Sequence, residues 1–205
     1  MKWRAAPAIF VESASKLPVI IEHRGPIMTY EMLGKETVYS GCVFSVDRVE
    51  VTLPDSRARK YDVINIQNAI TILPLDSANN VLFVRQYRVG SNSMLLELPA
   101  GKIEAGEEAQ ATAEREIREE TGMAAAKIQP LGNFFVSPGY SSEYMYAFLA
   151  TGLYPAPLDP DADEFLNIVK IPLKETLQMI RKGQLEDSKS LATILLALPF
   201  LNSEE

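Results

Sequence analysis

One cysteine, Cys42, and one histidine, His23, are all that this chain offers of the commonest soft ligands and nucleophiles. A lone thiol permits no intramolecular disulfide, so a reducing compartment is allowed and the cytoplasm is the default expectation. Cys42 reads as a small, buried apolar residue. A lone imidazole, remote in sequence from the acidic residues described below, argues against a His-rich zinc site and against a His-based triad. No apolar run approaches the roughly 20 residues that a membrane span needs. The first residues, MKWRAAPAIFVESAS, hold only a short apolar stretch broken by Glu12, and no secretory signal is expected there. Positive charge is also scarce: the net charge is −7, which disfavours extended contact with a nucleic-acid backbone. The partners expected are therefore neither nucleic acid nor membrane. A length of 205 residues, 47% of them hydrophobic, suits one soluble domain or one domain with a small appendage.

What the chain does have is concentrated acid. From Gly101 to Met123 it reads GKIEAGEEAQATAEREIREETGM. Glu116, Glu119 and Glu120 are three and four apart, so a helix puts them on one face. Carboxylates so close repel one another unless a cation sits between them, and hard oxygen ligands suit Mg²⁺ or Mn²⁺. An enzyme acting on phosphates needs such a cation. The plain alternative is a solvated acidic helix.

Around this segment the pattern predicts α+β architecture. Short β-rich runs begin at Thr37, turn at Pro54-Asp55-Ser56 and return over 61–66, predicting a small antiparallel N-terminal sheet. Further strands are expected over 69–75, 81–87, 95–98, 128–136, 143–150 and 165–171. A helix is expected from about Glu107 to Thr121, closed by Gly122, with Ala109, Ala113, Ile117 and Thr121 as an inward stripe roughly opposite the carboxylates. Two more helices should run from Leu173 to before Gly183 and over 188–198, the latter capped by Asp187 or Ser188. Two regions follow: 1–66 as an N-terminal extension and small sheet, and 67–205 as the catalytic domain.

Gly101, five residues, Glu107, seven residues, Arg115-Glu116, the apolar Ile117, one residue, Glu119-Glu120, one residue, Gly122 and the apolar Met123 form a pattern. It resembles the Nudix box at every fixed position. With LFVRQYRVG before ELPAGKIEAGEE, Pro138 inside SPGYSSE, and LEDSKSLATILLAL near the end, the chain is similar to the ADP-ribose pyrophosphatase branch of the Nudix hydrolases. That resemblance implies an α/β/α sandwich with a mixed sheet. It implies Mg²⁺ (or Mn²⁺) held by Glu116 and Glu120, with Glu119 as a further or water-mediated ligand and the Ala100 carbonyl joining them. Gly101 is expected to permit a tight turn that aims this carbonyl. Arg115 should pair with Glu107 and fix the loop, or else contact phosphate.

Arg88 follows a predicted strand near the box and is the favoured phosphate contact, because a guanidinium offers bidentate hydrogen bonds. Arg85 would point elsewhere or lie within the strand. In the related enzymes an acid on a later loop takes the proton from water. Glu164, in the acidic stretch from Asp159, is the first choice here. Glu143 is the rival base or a ribose contact, and Glu119 is a further catalytic candidate. Ser137 and Gly139 join Glu143 as expected substrate contacts, and Phe44, Tyr87 or Tyr140 could stack on adenine. In relatives the N-terminal strands reach a partner's site, which implies a homodimer. The implied reaction is hydrolysis of ADP-ribose to AMP and ribose 5-phosphate. GDP-mannose, dinucleoside polyphosphates, or sensing without catalysis are the alternatives.

Overall fold

The structure, a computed structural model, describes residues 29–159 and 165–201. Its centre is β4 (Ala69–Pro74), a short Ile-rich run buried along its whole length. Such a strand must be covered on both faces. It pairs in parallel with β9 (Tyr144–Pro155) and antiparallel with β7 (Ala100–Lys102), and β8 (Met123–Phe135) completes a four-stranded mixed sheet of order β7-β4-β9-β8.

Alternation along the strands divides the core. Ile70 and Ile72 of β4, with Phe148 and Ala150 of β9, meet Ala113 and Ile117 of α1 (Ala109–Thr121). Leu73 and Leu149 face the other way, into a cluster with Phe83, Leu98, Ile171 and Ile194. A second, antiparallel sheet contributes to that cluster: β5 (Asn80–Arg88), flanked by β6 (Ser93–Glu97) and β10 (Asn167–Pro172). So do α2 (Leu173–Arg181) and α3 (Ser188–Leu201). The mixed sheet between helices expected from the sequence is therefore present, with a second sheet sharing one of its faces. Ile117 is fully buried, and truncating it to Ala would cost about 3 kcal/mol.

The N-terminal sheet is separate: β1 (Glu31–Ser40), β2 (Ser45–Thr52) and β3 (Ala58–Asn65), antiparallel and in that order. All ten residues of β1 are exposed. Asp47, buried on β2, ties β1 to β2 by accepting from Thr37 Oγ1 at 2.7 Å and pairing with Lys35. The sheet joins the rest through Ile64, which donates to the Tyr140 carbonyl at 2.8 Å and accepts from the Ser142 amide at 2.9 Å.

Cys42, expected to be buried, is exposed, and several boundaries differ from the sequence expectation. β1 begins at Glu31 rather than Thr37, and β8 follows Gly122 at once instead of starting near Ile128. Ala124 and Ala125 give little strand signal by themselves, yet their small side chains let β8 lie close beside α1. The segment from Ala100 to Lys102, expected as a loop, is a strand paired to β4. The carboxylates of α1 do not oppose its apolar stripe. Residues three apart on a helix are offset by only about 60°, so Glu116 and Glu120 border Ala113 and Ile117 and are buried with them.

Candidate active site

Beside this border opens a cleft of about 910 Å³. Its lining includes Ala100, Gly101, Glu116, Glu120, Glu143 and Arg88. Glu116 and Glu120 are 7% and 5% exposed, so both carboxylates reach the cleft from buried stems. Glu120 Oε2 accepts from the Ala100 amide at 3.0 Å, locking α1 to β7. Gly101 sits directly under Glu116, where an added Cβ would lie 1.8 Å from Oε1 and 1.9 Å from Cδ. The glycine is therefore needed for close approach within a strand, not for the tight turn expected from sequence.

Arg115 organises the acidic edge. Its Nε and Nη2 each donate to Glu107 at 3.0 Å, and Nη2 also reaches the Lys102 carbonyl at 3.3 Å. Its Nη1 donates to Glu116 Oε1 at 2.7 Å and to Glu119 Oε2 at 2.8 Å. Hydrogen bonds from Arg115 hold the Glu107 carboxyl down at about 2, against partial burial that works to raise it. The same pairing raises Arg115 above its ordinary value.

Another part of the lining is built from elements far apart in sequence. Arg88, at the end of β5, makes a bidentate pair with Glu97 of β6 at 2.9 and 2.7 Å. Lys189 of α3 contacts the same carboxylate and sits 3.0 Å from Asp187 Oδ1. Asp187 caps α3 by accepting from the Ser190 amide at 3.0 Å, and Ser190 Oγ accepts from the Leu98 amide at 2.7 Å. That last bond pins the start of α3 to the end of β6. Burial works to raise the Glu97 carboxyl, but the Arg88 hydrogen bonds and the Lys189 charge outweigh it and hold it low. Glu97 raises Arg88 in turn, with smaller contributions from Glu120 and Asp187.

The cleft gathers Arg88, Ala100, Gly101, Glu107's partner Arg115, Glu116, Glu120 and Glu143. It does not gather all the candidates. Arg85 is exposed and, one residue out of phase with Gln86, lies outside the lining. Glu119 and Glu107 bind Arg115 from outside the lining. Ser137 and Gly139 belong to the turn that leads to Glu143, and Ser137 accepts there from the Tyr140 and Ser141 amides. Phe44 packs against Tyr39 with the rings tilted and their centroids 5.8 Å apart, while its neighbour Val43 reaches the cleft. Tyr87 donates to Asn92 at 2.6 Å, and Tyr140 is exposed. Glu164 lies outside the described residues, as do Asp161 and Asp163. Gly122 ends α1 in the left-handed region, with φ 71°. Sequence reasoning passed over Glu97 and Lys189. Glu97 carries a signal, being an acid within the apolar run LLELP; Lys189 carries none.

Among the described residues no three acidic, cysteine or histidine side chains already converge as a metal cage. The donor chemistry nevertheless fits a hard divalent ion. Glu116 and Glu120 offer buried carboxylates at the cleft. The Arg115 Nη1 shows that positive charge is accommodated between Glu116 and Glu119.

Comparison with known proteins agrees. Residues 65–193 match the family described as NUDIX domain. An ADP-ribose pyrophosphatase of Bacillus subtilis (strain 168) is 32% identical over 160 residues, covering 77% of this chain and 86% of the relative. A methanol dehydrogenase activator of Bacillus methanolicus is 30% identical over 183 residues, covering 88% and 97%. The crystal structure of an ADP compounds hydrolase superposes with a TM-score of 0.80 at 26% identity, covering 88% of this chain and 98% of that one. Nudix hydrolases generally use divalent metal ions. With a family match that contains the whole acidic segment, and relatives that align along most of both chains, this chain belongs to the Nudix hydrolases.

Proposed function

We propose that the chain hydrolyses the diphosphate bond of ADP-ribose, or of a closely related nucleoside diphosphate sugar, to a nucleoside monophosphate and a sugar phosphate. One observation carries this reading: two buried carboxylates, Glu116 and Glu120, share a cleft of about 910 Å³ with the guanidinium of Arg88. That volume is within the range of small-ligand sites. The relatives named for ADP-ribose and ADP compounds support the substrate class.

Glu116 and Glu120 would hold Mg²⁺ or Mn²⁺, with Glu119 and the Ala100 carbonyl as further oxygens. Such an ion, when bound, offsets diphosphate charge and acidifies a water. Arg115 and Glu107 hold the acidic edge in place. Arg88 contacts the phosphates, stabilising charge as it develops. Water oxygen bonds to one phosphorus, the bridging P–O bond breaks, and the released proton passes to a carboxylate. Glu143 is the candidate on the cleft, and Glu164 stays a candidate from sequence. The region 1–66 serves dimerisation and the partner's site, and 67–205 carries the chemistry. The exposed β1, with Met32, Leu33, Val38 and Tyr39, supports that division. Among the described residues no helix is long and apolar enough to cross a membrane. The single cysteine fits a cytoplasmic enzyme.

Incubating the protein and Mg²⁺ with ADP-ribose, GDP-mannose and dinucleoside polyphosphates, with chromatographic identification of products, tests the reading. ADP-ribose should give AMP and ribose 5-phosphate. Glu120→Gln should lower turnover by about two orders of magnitude or more with the fold retained by circular dichroism. No cleavage of ADP-ribose, or wild-type turnover in Glu120→Gln, overturns the assignment.

A further inference from the structure

We infer that Lys189 is a second phosphate-contacting cation and that Glu97 is the positioning residue that holds Lys189 and Arg88 together as one wall of the cleft. This rests on the diphosphate reading above. Lys189 and Arg88 line the cleft, whereas Glu97, 1% exposed, lies behind them. The cations come from elements far apart, α3 and β5, and meet on this carboxylate.

A buried acid is costly unless paired and fully hydrogen-bonded, and two cations at once satisfy it. Each cation keeps donors in reserve. Glu97 takes Nε and one Nη2 hydrogen of Arg88, and Nη1 is not part of that pair. The Lys189 ammonium has three donors, of which Glu97 and Asp187 engage two. The Ser190–Leu98 bond and the Asp187 cap fix the helix that carries Lys189. Side chains held in this way lose little freedom when an anion binds, so the wall is preorganised. Carboxylates line the same cleft from α1, so a diphosphate bound there draws its protein cations from Arg88 and Lys189.

The test uses the full chain as Lys189→Met, Lys189→Arg and Glu97→Gln, with Mg²⁺-supported ADP-ribose kinetics and calorimetric titration of ADP. Lys189→Met should raise KM and weaken ADP binding, each about tenfold, with kcat changed by less than about threefold. Lys189→Arg should restore both. Glu97→Gln should raise KM about as much, because both cations lose their shared anchor; should it fail to fold, the Lys189 pair decides. Unchanged KM and ADP affinity in Lys189→Met, absence of rescue by arginine, or wild-type KM in a folded Glu97→Gln enzyme overturns the inference. A wild-type protein that binds ADP through Lys189 yet cleaves no ADP-ribose sinks the proposed reaction and leaves the wall standing. One that binds no ADP sinks the wall.

Discussion

Gly101 shows how one missing methyl group can separate folding from function. Its φ is ordinary, so alanine meets no backbone strain there. The nearest clash is with Glu116: a Cβ would lie 1.8 Å from Oε1 and 2.5 Å from Cγ. A glutamate side chain can swing aside, and β7 can keep its pairing with β4. What cannot survive is the carboxylate's position, which Arg115 and burial otherwise define. Gly101→Ala should therefore lose about two orders of magnitude in kcat/KM while its circular dichroism matches wild type and its Tm falls by only a few degrees. An alanine variant with full activity would show that the Glu116 position is not needed.

At the scale of the element, α1 spends its nearby acid on a clamp rather than a cap. Glu108 occupies the N-cap position without a side-chain cap bond. Glu107, one residue earlier, reaches Arg115 across two turns of helix and ties the loop before α1 to the middle of that helix. The clamp makes stability depend on pH. The folded Glu107 carboxyl sits at about 2, below its ordinary 4.5. A depressed carboxyl contributes stability that is full above its unfolded value and disappears as pH falls toward the folded one. Comparing Tm of wild type and Glu107→Gln from about pH 6 downward should thus show the wild-type advantage shrinking below 4.5 and vanishing near 2. A difference independent of pH would mean that Glu107 acts by packing instead of charge.

For the whole molecule, the N-terminal sheet sets the question of assembly. A three-stranded sheet with one strand exposed along its length has little core of its own. Tyr39 and Val38 on that strand are 54% and 42% exposed, beside an edge with unpaired backbone groups. Light scattering after size exclusion should give twice the 22.7 kDa chain mass, and Tyr39→Glu with Val38→Asp should reduce it to one chain. A single-chain mass for the wild type at micromolar concentration would remove the homodimer.

The acidic segment was readable because its information is local. Glu116, Glu119, Glu120 and Gly122 lie within two turns, and helix periodicity alone puts the carboxylates together. The strand expected over 69–75, a cap at Asp187 or Ser188 and the three helices were readable for the same reason. Arg88 was singled out from its neighbours, but its partner was not, because Glu97 meets it only through the antiparallel register of β5 and β6. Lys189 meets Glu97 only after α3 docks through Ser190. The role of Gly101 also depended on which strand lies beneath Glu116. By itself, then, the sequence determined the family, the helix of acids and the alternating faces of the strands, since each depends on spacing within a few residues. Only the tertiary structure decided that Arg88, Glu97 and Lys189 come together beside the same cleft as those acids, because pairing across long stretches of chain is set by packing of the shared core.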